Sequence, residues 1–313
     1  MSEANLSETR NNGRINIRNN MKIRYWRNYP LGKSNTAMER AVIVVHGKNR
    51  NADGYFSYIM SAASKIGCVT NTLILAPNFI TSEDNPRSDE LYWSEGGWKR
   101  GDPSWDLFPR ISSFSVMDRI LRKLRKQDKF PNLKRVVIIG HSAGGQFVNR
   151  YAAGSKAENT SYMSGIHVRY IIANPSTYMY LNGTRKMGNV DDVFSSVPSG
   201  QSCGGKYDNY KYGLRRRNPY MRQVSMDRIR TQYTSRDVIY LLGQQDTGAG
   251  SLDQSCPAML QGENRLERGR IFYNHICKYY DCPGHRLEEI PGVGHNSNLM
   301  FNSQTCMSLV FGD

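Results

Sequence analysis

The sequence predicts an α/β fold, a mostly parallel central sheet with helices on both faces. Three observations carry this: short β-branched runs recurring from residue 40 onward, longer amphipathic or glycine-bounded segments between them, and a glycine-flanked serine directly after one run. Five runs stand out, AVIVV at 41–45, TLILA at 72–76, RVVIIG at 135–140, VRYIIA at 168–173 and DVIYLLG at 237–243. Each is nearly continuously apolar, as a strand covered on both faces must be; a half-exposed strand would alternate apolar with polar residues. A sixth run, RLEEIP at 286–291, reads as an edge strand.

Between the runs, residues 106–129 place Leu107, Ile111, Phe114, Met117, Ile120, Leu121 and Leu124 at helical spacing with basic residues opposite, which predicts a surface helix with one buried stripe. Residues 145–151 read as a helix following the serine. Roughly sixty residues, 176–235, show no clear periodicity and are rich in Tyr, Gly, Asn and Arg. This is too long for an ordinary α/β connection and predicts a lid-like or substrate-facing insertion. Residues 1–28 are polar and Asn/Arg-rich and are expected to be a flexible tail, leaving 29–313 as one domain.

The chain has 313 residues and a net charge of +15, a size that buries a large core and a charge that favours anionic partners or substrates. No apolar run reaches 18 residues, so no integral membrane association is expected. The N-terminus carries no apolar stretch of secretory type, which favours a cytoplasmic protein. The even count of six cysteines keeps a secreted, disulfide-bonded one open. None of the cysteines has CxxC spacing, and no metal site is expected. The basic residues are scattered without a recognition motif, so nucleic acid is not an expected partner. Oligomeric state is not readable from the sequence.

The chemistry concentrates in Gly140-His141-Ser142-Ala143-Gly144, which follows a strand and precedes a helix. A sharp strand-to-helix turn exposes the serine hydroxyl at the carboxyl end of the sheet, the context that the G-x-S-x-G pattern requires. A serine hydroxyl attacks only when a base removes its proton and an acid orients that base. His295, in the loop Pro291-Gly292-Val293-Gly294-His295 after the last strand, is the candidate base. Asp246, just past the strand at 237–243, is the candidate acid. Asp253 and Asp237 are alternatives for the acid, although Asp237 begins its strand and so belongs at the opposite edge. Backbone N–H donors for a developing oxyanion are expected from Ala143 and from Lys48 in the loop after the first run. His46 and His141 read as structural members of their turns.

With HGKNRNADGYF from His46, GHSAGGQF from Gly140, LLGQQDTG from Leu241 and PGVGHNS from Pro291, the chain resembles the α/β-hydrolase superfamily. It is most similar to microbial serine hydrolases related to esterases and polyester depolymerases, with which it shares segments like DELYWSEGGWKRGDPS and ANPSTYMYL. The resemblance implies acyl hydrolysis without a cofactor, with Ser142 as nucleophile, His295 as general base, Asp246 as its orienter, and Lys48 and Ala143 as backbone donors. The expected substrate is an ester, small or polymeric, with anionic character among the options. An amidase or peptidase with the same residues and a non-catalytic binding protein stand as alternatives.

On the substrate side, Trp93 and Trp98, with Trp105, lie beyond a strand's carboxyl end where a pocket wall would be, with core packing as the alternative. Tyr178, with Tyr180, Tyr207, Tyr210, Tyr212 and Tyr220 and the run Arg215 to Arg217, gives the insertion an aromatic and basic mixture suited to a polymeric or acidic substrate. Solvated loop charge is the competing reading. In an exported protein, Cys203 with Cys256 and Cys277 with Cys282 are the pairs to test.

Overall fold

A computed structural model describes residues 11–105, 108–125, 129–188 and 193–312. Among the described residues, ten strands form a large and a small sheet. In the large sheet, β1 (Asn11–Arg18) pairs antiparallel with β2 (Met21–Arg27), and β2 pairs antiparallel with β4 (Thr72–Asn78). From there the sheet is parallel through β3 (Arg40–Val45), β5 (Arg135–His141), β6 (His167–Ala173), β9 (Asp237–Gly243) and β10 (His285–Ile290), in the order β1-β2-β4-β3-β5-β6-β9-β10. The five apolar runs and the edge strand each form a strand of this sheet. The small sheet is a hairpin of β7 (Thr184–Lys186) and β8 (Phe194–Ser196) within the insertion.

The continuous apolarity of the runs has a direct cause. Alternate residues of one strand enter two different cores. Val42, Val44, Ile74, Val137, Ile139, Ile239 and Leu241 pack with α1 (Ala52–Lys65), α7 (Ser297–Phe301) and α8 (Gln304–Phe311). Ala41, Ile43, Leu73, Val136, Ile138, Val238 and Tyr240 pack on the other face with α2 (Ser113–Leu124), α3 (Ala143–Gly154) and α6 (Arg265–Tyr279). The remaining α-helices among the described residues are α4 (Met226–Thr234) and the short α5 (Cys256–Met259). The helix expected over 106–129 is shorter than its apolar spacing suggested. Ser112 caps α2 by accepting from the Phe114 N–H, so Ile111 is buried ahead of the helix rather than on it. Leu107 and residues 126–128 lie outside the described residues.

Residues 11–27 correct the expected flexible tail, while residues 1–10 lie outside the described residues. Ile15, Ile17, Met21, Ile23 and Tyr25 alternate with polar residues and are buried, the pattern of a half-covered hairpin. Asn19 and Asn20 turn it with φ 48° and 61°, the backbone that a two-residue hairpin turn with the strands' own twist demands. Ion pairs then fix the hairpin to the segment before Leu91: Lys22 to Asp89 at 2.8 Å and Arg24 to the buried Glu90 at 2.8 Å. In the insertion, Tyr178, Tyr180 and Tyr220 are core residues rather than a presented aromatic surface, whereas Arg215 and Arg216 are exposed. The insertion is tied to α5 by a disulfide between Cys203 and Cys256, and α6 is tied to the residues beyond it by one between Cys277 and Cys282.

Two measurements test this frame. Ile23→Ala should cost about 2–5 kcal/mol in urea unfolding, as for a buried aliphatic side chain, whereas a flexible tail would register no loss. Protein purified without reductant should titrate two thiols under denaturing conditions, Cys68 and Cys306, the two free cysteines.

Candidate active site

The backbone turns from β5 into α3 at Ser142, which holds φ 59° and ψ −118°, a conformation that a non-glycine residue adopts only under strain. Two hydrogen bonds hold the turn, from the Ser142 N–H to the Ala173 carbonyl at 2.9 Å and from the Gln146 N–H to the Ser142 carbonyl at 3.0 Å. Gly144 is required because a Cβ there would overlap the Val45 and His46 carbonyls, so this helix start can press against the end of β3 only without a side chain.

The loop after β10 reaches the same edge. Gly243 closes β9 where a Cβ would overlap the Val293 carbonyl, and the Gln245 N–H donates to that carbonyl at 2.9 Å. This close docking sets His295 beside Asp246. His295 Nδ1 lies 2.6 Å from Asp246 Oδ2, and its Nε2 lies 2.9 Å from Ser142 Oγ. An ionised carboxylate only accepts, so Nδ1 carries the proton and donates, leaving Nε2 free to accept from the serine hydroxyl. Asp246 is buried, and its other oxygen faces the buried Arg265 at 3.4 Å. Arg265 also donates to the carbonyls of Gly248 and Gly250, and Arg268 donates to those of Ser176 and Asp253. Thus the start of α6 holds the whole loop after β9.

The alternative acids have other partners. Asp237 sits at the opposite end of β9 with Arg169 at 2.7 Å, and Asp253 accepts from Lys211 at 2.7 Å. His46 accepts from the Phe79 N–H at Nε2 and donates from Nδ1 to the Gly47 carbonyl, both at 2.9 Å. Burial pushes its pKa down to about 4. His141 is buried against the His295 ring at 4.6 Å, and burial first, then the charges of His295 and Arg265, hold it well below the usual histidine range. Both therefore stay neutral and fix backbone or ring positions. Arg50 anchors the loop after β3 by pairing with Asp84 at 2.6 Å and Glu83 at 3.0 Å.

A cleft of about 250 Å³ opens over Ser142, lined by Lys48, Glu95, Lys99, Ala143, Gln146, Ser176, Lys211 and residues 251–253. Lys48 and Ala143 thus border the serine together. Ala143 is the first residue of α3, so its N–H has no acceptor within the helix. Trp93, Trp98 and Tyr178 do not line the cleft, which corrects their assignment to substrate. Trp93 donates from its ring to the Ile111 carbonyl, Trp98 lies against His46 and parallel to Phe79, and Tyr178 stacks on Phe272 at 4.5 Å. All three are buried: the segment after β4 turns Trp98 inward onto Phe147 of α3 and Trp93 onto Phe79, and the segment after β6 turns Tyr178 onto α6. In their place stand Lys99, Lys211 and Gln146, and behind the acid stands Arg265. Sequence reasoning passed over all four, and only the density of bases around them offered a signal.

No protein-family model matches the chain, and no curated protein matches it by sequence. Solved structures do. LpqC, a poly(3-hydroxybutyrate) depolymerase from Bordetella parapertussis, is 22% identical with a TM-score of 0.68 over 96% of this chain and 90% of its own. Poly(aspartic acid) hydrolase-1 from Sphingomonas sp. KT-1 is 21% identical with a TM-score of 0.68 over 96% and 98%. The Pyrococcus furiosus esterase Pf2001 is 16% identical with a TM-score of 0.50 over 99% and 93%. The chain has the α/β-hydrolase fold that these likenesses describe.

The Arg265 contact yields a stability prediction. Arg265→Met should cost about 3–5 kcal/mol in chemical unfolding, since it strands a buried carboxylate. Adding Asp246→Asn should recover part of that loss, because the uncompensated charge is then gone.

Proposed function

We propose that this chain is a serine hydrolase of carboxylic esters that works through a covalent acyl-enzyme. The observation that carries the reading is the unbroken line of hydrogen bonds Ser142 Oγ to His295 Nε2 at 2.9 Å and His295 Nδ1 to Asp246 Oδ2 at 2.6 Å, at the floor of a solvent-accessible cleft. In this reading the Ser142 hydroxyl attacks the ester carbonyl as its proton passes to Nε2. Asp246 keeps the ring in the tautomer that can accept and stabilises the imidazolium that forms. The developing oxyanion takes hydrogen bonds from the backbone N–H groups of Lys48 and Ala143. His295 then gives its proton to the departing alkoxide, and water enters by the same route in reverse to release the acid. No cofactor has a part in these steps.

Esters are favoured over amides by the resemblance to esterases and polyester depolymerases and by the structural neighbours, a poly(3-hydroxybutyrate) depolymerase among them. Poly(aspartic acid) hydrolase-1 also keeps a polymeric, acidic substrate in view. The insertion enters this reading through Lys211, which it lends to the cleft.

Ser142→Ala should abolish covalent labelling by a fluorophosphonate and lower kcat for a p-nitrophenyl ester by about 10⁴-fold or more, and Asp246→Asn should lower it by about 10⁴-fold. Ester turnover that survives Ser142→Ala would refute the mechanism, and absence of labelling in the parent protein would favour a binding protein.

A further inference from the structure

We propose that the cleft beside Ser142 holds an anionic subsite, built by Lys99 with Lys211 and the buried Arg150, that selects esters carrying a free carboxylate. The inference rests on the hydrolase reading for its reaction but on separate residues for its specificity.

The subsite starts from the helix that follows the serine. Arg150 is fully buried, eight positions beyond Ser142 in the chain. No carboxylate of the described residues lies within ion-pair distance of it. Its guanidinium instead donates to backbone and side-chain oxygens: the Lys99 carbonyl at 3.2 Å, the Lys211 carbonyl at 3.3 Å, Thr177 Oγ1 at 2.9 Å and Gln146. One arginine therefore clasps, by their backbones, the two segments that bring lysines to the cleft, and adds a positive charge beneath it that solvent screens poorly.

The charges lining the cleft do not balance. Lys211 is met by Asp253 at 2.7 Å, and Lys48 faces Glu95 at 3.7 Å with both side chains exposed. Lys99 has no carboxylate of the described residues within ion-pair distance. Burial first, then the positive charges of Lys211, Arg150 and Arg100, push its pKa down to about 8, while Glu95 pulls the other way. A cation held among cations without a counter-ion is stabilised when a carboxylate arrives, and the bound anion in turn restores its proton. Because Lys99, Lys211 and Ser142 border one cleft of about 250 Å³, an ester seated on the serine brings its own end to these lysines only if it is short. The fitting class is a hemiester of a small dicarboxylic acid or the carboxylate-terminated end of an oligoester.

The test compares p-nitrophenyl butyrate with p-nitrophenyl hemiglutarate, which differ chiefly by the terminal carboxylate. The parent protein should prefer the hemiglutarate in kcat/KM, a preference that falls with added salt and as pH rises through about 8, where free Lys99 loses its charge. Lys99→Gln should reduce the preference about tenfold or more. Lys99→Arg should keep it and remove its decline near pH 8, which a merely structural lysine would not do. Turnover of butyrate with no preference for hemiglutarate overturns the subsite and leaves the hydrolase reading standing. If neither ester turns over, the hydrolase reading fails, and calorimetry on the Ser142→Ala protein decides the subsite: glutarate binding that Lys99→Gln abolishes supports it, and no binding overturns it.

Discussion

The strained turn at Ser142 is the constraint on which the rest of the structure depends. A non-glycine residue at φ 59° and ψ −118° costs about 1–3 kcal/mol and persists only where its surroundings over-determine it. Those surroundings are the middle of the sheet. β5 is flanked by β3 and β6, the Ala173 carbonyl captures the Ser142 N–H, and Gly144 lets α3 start against the last carbonyls of β3. The helix leaving the turn is buried along its entire length, so it cannot relax by tilting. Parallel strands bring their carboxyl ends to one edge, and the loops after β3, β5, β9 and β10 meet there for that reason.

What these loops hold is a set of polar groups buried with their partners. Asp246 is flanked by His295 on one oxygen and Arg265 on the other. His46 and His141, neutral through burial, spend their ring nitrogens on fixing the loops that surround the serine. Asn174 bridges the strands directly, accepting from the Gly243 N–H at 2.9 Å while its amide lies 3.5 Å from His141 Nε2. Buried polar groups cost free energy unless satisfied, so such a network rigidifies the site when complete and would unsettle it when broken.

The parts of this arrangement that were legible in the sequence are those that burial on two sides writes as composition. Strands such as 41–45 and 136–140 are apolar throughout because alternate residues enter cores on opposite faces of the sheet, and the motifs at their ends follow in order. The hairpin at 11–27 escaped because only one of its faces is buried: Ile15, Ile17 and Ile23 sit among Arg, Asn and Lys, and the mixture reads as a polar tail unless the alternation is followed residue by residue. Trp93 and Trp98 misled for the opposite reason. Position after a strand's carboxyl end says which edge a residue lies at but not whether it turns inward, and their rings found Phe79, Phe147 and His46 instead of the cleft. Arg265 and Lys99 could not be singled out, since a base in a basic sequence reads as solvated until its burial is known.

That last point changes the meaning of the +15. Arg150, Arg185, Arg265 and Arg268 are buried and donate chiefly to carbonyl oxygens, and Arg14, Lys22 and Arg24 are met by Asp89 and Glu90. Part of the charge therefore serves as internal framework or is neutralised on the spot. A buried arginine satisfied by carbonyls keeps its full charge while giving up its mobility, so it can hold a loop and set a local potential at once. Arg150 does both: its hydrogen bonds fix the backbones of Lys99 and Lys211, and its charge lies under the cleft they border. The local potential at the cleft is thus shaped by a few cations that, among the described residues, have no carboxylate within ion-pair distance or one that is already engaged.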